Sequence, residues 1–107
     1  MIKKNIGLQI HNLCKKLWPY NRSITGNGTL RSLQILGKDL KGFKIHKIKS
    51  GTNVFDWTIP DEWEIFDAYI INAFGEKIID FHENNLHVVS YSTSVDEIMT
   101  ETELLAH

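Results

Sequence analysis

The hydrophobic period of this chain changes at Gly42, and that change narrows the folds open to it more than any other feature. Upstream, apolar residues recur at helical spacing. Between residues 3 and 17, Ile6, Ile10, Leu13, Cys14 and Leu17 fall on one stripe of a helix. Lys3, Lys4, Asn12, Lys15 and Lys16 lie largely off that stripe and suit a solvated face. Pro19 ends the helix, because its ring disfavours helical geometry at Trp18. A loop of turn formers over 18–28 leads to a second helix, from Thr29 to about Leu40. Leu30, Leu33, Leu36 and Leu40 make its apolar face, with Ile35 flanking and Gly42 as terminator.

Past Gly42 the period shortens towards two. Phe43, Ile45 and Ile48 alternate with lysines as in an edge or bulged strand. Extended runs follow at Val54–Ile59, Ile65–Asn72, Lys77–Phe81 and Leu86–Tyr91, separated by turns at 50–53, 60–63, 73–76 and 83–85. Five short strands so spaced predict a compact antiparallel sheet, which needs a second layer on one face. The class is therefore α+β. A third change comes at the tail. Thr100 and Glu103, followed by Leu104 and Leu105, form a capping box that announces a helix about one turn before His107. Isolated helices that short are unstable in water.

With 107 residues, 42% of them hydrophobic, the chain has the size and composition of one globular domain. Twelve basic against thirteen acidic side chains leave a net charge of −1, too little to attract a polyanion, so nucleic acid is not an expected partner. No apolar run approaches the ~18 residues that cross a bilayer, so no membrane contact is expected. Gln9, His11 and Asn12 interrupt any signal-peptide core, and a single cysteine makes no internal disulfide. A cytoplasmic location is the default expectation.

Few residues stand out for chemistry. His82 and His87, with Glu83 between them, are the closest histidine pair, but a spacing of five puts strand side chains on opposite faces. A zinc site needs three or four ligands converging on one point. Cys14 falls on the helical stripe, where a cysteine acts as a small hydrophobe. Thr25–Thr29 is a glycine-bearing loop before a helix, with Arg22 and Arg31 nearby, yet it lacks the Gly-Lys-Ser/Thr ending of a phosphate loop. Residues 55–64 gather Trp57 and Trp63 with Asp56, Asp61, Glu62 and Glu64. Tryptophans beside acids suit a sugar-binding face, but tryptophans that cover the open face of a small sheet are the stronger expectation. Consecutive acids in a turn do not give a glycosidase pair its separation of about 5 to 9 Å. No serine sits in a Gly-x-Ser-x-Gly setting.

Four blocks taken together, 18–28 (WPYNRSITGNG), 51–63 (GTNVFDWTIPDEW), 68–71 (AYII) and 84–92 (NNLHVVSYS), resemble the N-terminal part of bacterial aminopeptidase-like proteins of surface-polysaccharide loci. Those proteins are similar to zinc aminopeptidases, with a small β-rich domain of unknown function inserted into an α/β catalytic domain. The resemblance implies that 1–41 opens the peptidase domain, 42–94 is the inserted β domain, and 95–107 begins the return. The metal-binding residues of the family are expected downstream of His107, so no metal ligand, catalytic residue or cofactor is expected here, although zinc is expected in full-length relatives. Signature positions that do carry over are the Arg22–Gly28 loop and Asp56, Trp57, Glu62, Trp63 and His87; these are the candidate binding residues. The leading expectation is a non-catalytic front segment, inactive alone. Its rivals are a stand-alone glycan- or peptide-binding module and a subunit completing a separately encoded peptidase chain. The expected partners are the remaining peptidase portion or a second copy, because the stripes at Ile6, Ile10, Leu13, Leu30, Leu33 and Leu36 then lack a cover.

Overall fold

The computed structural model describes residues 5–107, so the expected helical start at Lys3 and Lys4 lies outside the described residues. Helix α1 spans Ile6–Leu17. It ends as expected before Pro19: the Trp18 amide donates to the Cys14 carbonyl, and the Arg22 guanidinium donates to the carbonyls of Leu17 at 2.6 Å and Tyr20 at 3.3 Å. Lys15, Lys16 and Arg22 thus bring positive charge to the helix C-terminus, where the backbone dipole favours it.

Helix α2 spans Asn27–Gly37, starting two residues before the expected Thr29 and ending three before Leu40. It starts early because Gly26, at φ 94°, turns the chain straight into the helix. The aromatic ring of Phe43 folds back over Gly37, where a Cβ would collide with it. Gly42, expected as the terminator, lies beyond the end at φ 78°.

The β region departs from the single five-stranded sheet that alternation suggested. It consists of two separate antiparallel pairs. Strands β1 (Asn53–Val54) and β2 (Trp57–Thr58) form one hairpin, turned by Phe55 and Asp56 with Phe55 at φ 55°. The expected run Val54–Ile59 is therefore folded back on itself. Strands β3 (Tyr69–Ile71) and β4 (Lys77–Asp80) form the other, joined through 73–76 as expected. Asn72 holds that turn: its Oδ1 accepts from the amides of Phe74 and Glu76, and its Nδ2 donates to Glu76 Oε2 at 2.8 Å. The ladder extends one step further, where the Phe81 amide donates to the Ala68 carbonyl at 2.8 Å.

Two expected strands are absent among the described residues. Residues 43–48 are exposed and form no ladder with another described segment, and a strand exists only through its partner. Leu86–Tyr91 is displaced by a 3₁₀ turn at Asn85–His87, which Asn84 caps by accepting the Leu86 amide. At the tail, helix α3 (Glu101–Leu105) forms with the expected capping box. The Glu103 amide donates to Thr100 Oγ1, and the Thr100 amide donates to Glu103 Oε2 at 2.7 Å.

Little of this surface is covered. Among the described residues no hydrophobic side chain is buried, and Ser32, at 4% exposure, is the single buried residue. The radius of gyration is 18.7 Å, against ~13 Å for a compact chain of this length. The accessible surface is 9846 Å², against ~6100 Å² for a compact monomer of this mass. On α1, Ile6, Leu8 and Ile10 are each more than half exposed. No helix among the described residues is long and apolar enough to cross a membrane.

Candidate functional site

A groove of about 260 Å³ lies between the loop that precedes α2 and the chain around Trp63–Phe66 and Phe81–His82. The loop is built from its own hydroxyls. Ser23 Oγ accepts the Thr25 amide and donates to the Thr25 carbonyl, Thr29 Oγ1 donates to the Ser23 carbonyl at 2.7 Å, and Ser32 Oγ donates to the Gly28 carbonyl at 2.7 Å. Two glycines let it close on its neighbours. A Cβ on Gly26 would lie 2.6 Å from the Trp63 carbonyl oxygen, and one on Gly28 would collide with the Asn21 carbonyl.

Thr25 is the junction of the groove. Its Oγ1 accepts the Trp63 amide at 3.0 Å and shares a 2.8 Å hydrogen bond with the Tyr91 hydroxyl. The Trp63 ring stacks on Tyr91 with centroids 5.9 Å apart, and its Nε1–H donates to the Ser92 carbonyl at 3.0 Å. Asn27 Nδ2 donates to Glu64 Oε2 at 3.2 Å. At the other end Asn85 Nδ2 donates to the Trp18 carbonyl at 2.6 Å. Three of the sequence blocks, 18–28, 51–63 (through Asp61 and Trp63) and 84–92, thus meet in one polar seam.

The candidate binding residues divide between this seam and the outside. Trp63 lines the groove, half-buried, with its indole nitrogen engaged. Arg22 is spent on the C-terminus of α1. Glu62 is exposed, and it is the adjacent Glu64 that reaches the loop. Asp56 and Trp57 belong to the β1–β2 hairpin, away from the groove lining, with Trp57 about half exposed. His87 closes the 3₁₀ turn and is exposed. Tyr91 and Thr25, central to the seam, have no local sequence signal, since their partners lie 66 positions apart. Cys14 is exposed.

His82, not His87, faces other candidate ligands. Its Nε2 lies 3.3 Å from Asp67 Oδ1, and Asp80 completes a trio whose ligand atoms all lie within 4.8 Å of one another. Among the described residues this is the one such group. The Asp80 carboxyl is held below its ordinary value chiefly by the His82 amide that donates to it, with Lys77 Nζ at 3.2 Å adding to the effect against partial desolvation.

Helices, paired hairpins and seam define a small α+β module with a polar groove and largely uncovered apolar faces. Residues 11–106 match the family described as a domain of unknown function, DUF4910, and the chain belongs to that family. It is 55% identical over 98 residues to a Clostridium acetobutylicum protein described as a "Putative polysaccharide biosynthesis protein with aminopeptidase-like domain". The alignment covers 92% of this chain and 22% of that protein. The crystal structure of a "putative peptidase" from Clostridium acetobutylicum superposes with a TM-score of 0.86 at 54% identity, over 94% of this chain and 24% of that one. The chain therefore spans about a quarter of the length of the relatives it matches, and corresponds to a small N-terminal portion of them.

Proposed function

We propose that this chain is the non-catalytic front portion of an aminopeptidase-like hydrolase, and that its uncovered helical face lies against the remainder of that protein. The observation that carries the reading is the combination of scale and exposure. The chain matches about a quarter of its relatives, and none of its described hydrophobic side chains is buried. Burying apolar area yields roughly 25 cal/mol per Å². A stripe such as Ile6, Ile10 and Leu13 left in water therefore forgoes the stabilisation that would fix α1 in place.

Zinc aminopeptidase chemistry requires a metal-activated water and a carboxylate base beside the scissile amide. The groove presents a tryptophan already stacked and bonded, and a glutamate already tied to Asn27. On this reading those groups set the seam between helical loop and β region, and the catalytic set belongs to the part of the relatives outside the match. The test is hydrolysis of aminoacyl anilides by the purified chain with zinc, cobalt or manganese added. Rates at background are expected; turnover that scales with protein concentration and survives repurification overturns the reading.

A further inference from the structure

We infer that the base of the β3–β4 hairpin is a binding site for one divalent transition-metal cation, held by Asp67, Asp80 and His82. The inference stands on the geometry of the hairpin and is independent of the proposed function.

The hairpin register places the three ligands together. Because the Phe81 amide bonds the Ala68 carbonyl, Asp67 and His82 stand across from each other one step beyond that bond. Asp80 ends β4 and His82 follows in the turn beyond it, where the His82 amide donates to Asp80 Oδ1 at 2.9 Å and keeps the two residues together. The His82 ring is steadied by an edge contact with Phe81, centroids 5.3 Å apart. Ligand atoms bound to one zinc-sized ion at about 2.0 to 2.2 Å stand roughly 3.3 to 3.6 Å from one another. The Asp67 Oδ1–His82 Nε2 separation of 3.3 Å already meets that spacing, and the remaining edges, within 4.8 Å, close by rotation of the half-exposed Asp67 and His82 side chains towards the more covered Asp80.

Charge points the same way. Two carboxylates face one ammonium, Lys77, and an imidazole that is neutral when it serves as a ligand, leaving a net negative charge for a cation to neutralise. Lys77 is the competitor: its Nζ lies 3.2 Å from Asp80 Oδ2. It also lies 4.3 Å from the Tyr69 ring centroid, where it stays attracted after giving up the carboxylate. Two oxygens and one imidazole nitrogen suit zinc, cobalt or manganese better than a purely oxygen-seeking ion. His82 also lines the groove, which puts the site at its edge.

The experiment is calorimetric titration of the full 107-residue chain with zinc chloride at neutral pH, repeated on Asp67→Asn, His82→Gln and Lys77→Met. One zinc per chain is expected. Asp67→Asn and His82→Gln should each weaken binding at least tenfold, and Lys77→Met should tighten it severalfold by freeing Asp80. Tightening in Lys77→Met separates the site from simple damage to the hairpin, since a misfolded variant does not gain affinity. Absence of saturable binding overturns the inference. So does a wild-type affinity that Asp67→Asn and His82→Gln leave within twofold.

Discussion

Gly28 shows at a single residue how tightly the loop before α2 is set. The Asn21 carbonyl occupies the space a β-carbon would take, and backbone cannot rotate away as a long side chain can. Overpacking of this kind costs about 1 to 3 kcal/mol. Gly28→Ala should lower hydrogen-exchange protection of the α2 amides roughly tenfold or more; unchanged protection would mean that Asn21 does not press on this position. Thr25 is the polar counterpart. Thr25→Val removes the acceptor of the Trp63 amide and one of the two partners of the Tyr91 hydroxyl, which also donates to the Asp61 carbonyl, at nearly constant shape. Leaving a part-buried donor unpaired costs about 1 to 3 kcal/mol, so the Trp63 amide should exchange at least fivefold faster. Local sequence signalled the glycines here, because Thr-Gly-Asn-Gly announces a turn. It held no sign of Thr25, whose meaning comes from Tyr91 and Trp63 far along the chain.

Elements whose instructions are local were legible; those that depend on a distant partner were not. Helix α3 carries its own start signal in Thr100 and Glu103, and the β3–β4 turn carries Asn72 and Gly75, the latter at φ 83°. Both form as the sequence indicates. Residues 43–48 alternate like a strand yet find no partner strand among the described residues. The Phe55–Asp56 turn lacks the usual Asn-Gly signature, so a continuous run was expected where a hairpin forms. The α3 cap titrates. Glu103 lies below its ordinary value, first because its carboxylate accepts the Thr100 amide and next because it accepts the Thr100 hydroxyl. A depressed folded-state value means the cap's contribution is complete above the normal glutamate range and is lost as pH falls through the lowered value. Amide and α-carbon shifts of 100–105 should therefore move towards coil values on acidification below about pH 4. Glu103→Ala should show those coil values already at neutral pH, and a helical signature that persists in that variant would refute the cap's role.

At the scale of the molecule, the extended shape and bare apolar faces support the proposed reading, in which the remainder of a longer protein presses on these elements. Helix α1 was legible from its stripe, and so was the need of that stripe for a cover; what covers it is a matter of tertiary packing that spacing does not encode. A surface of 9846 Å² with Ile6, Leu8 and Ile10 in water should bind an environment-sensitive apolar dye and drive concentration-dependent self-association. Ile10→Lys, at the middle of the α1 stripe, should reduce both while leaving the β3–β4 amide shifts unchanged. Indifference of dye binding and sedimentation to that substitution would place the exposed apolar surface elsewhere.

The most direct test is scanning calorimetry of the chain over a tenfold range of concentration. A protein with its own core absorbs about 0.7 kcal/mol per residue in one sharp transition near its midpoint. The account predicts a broad, shallow profile with far less heat, because among the described residues no hydrophobic side chain is buried to be released. A sharp two-state endotherm of full size, independent of concentration, would contradict it.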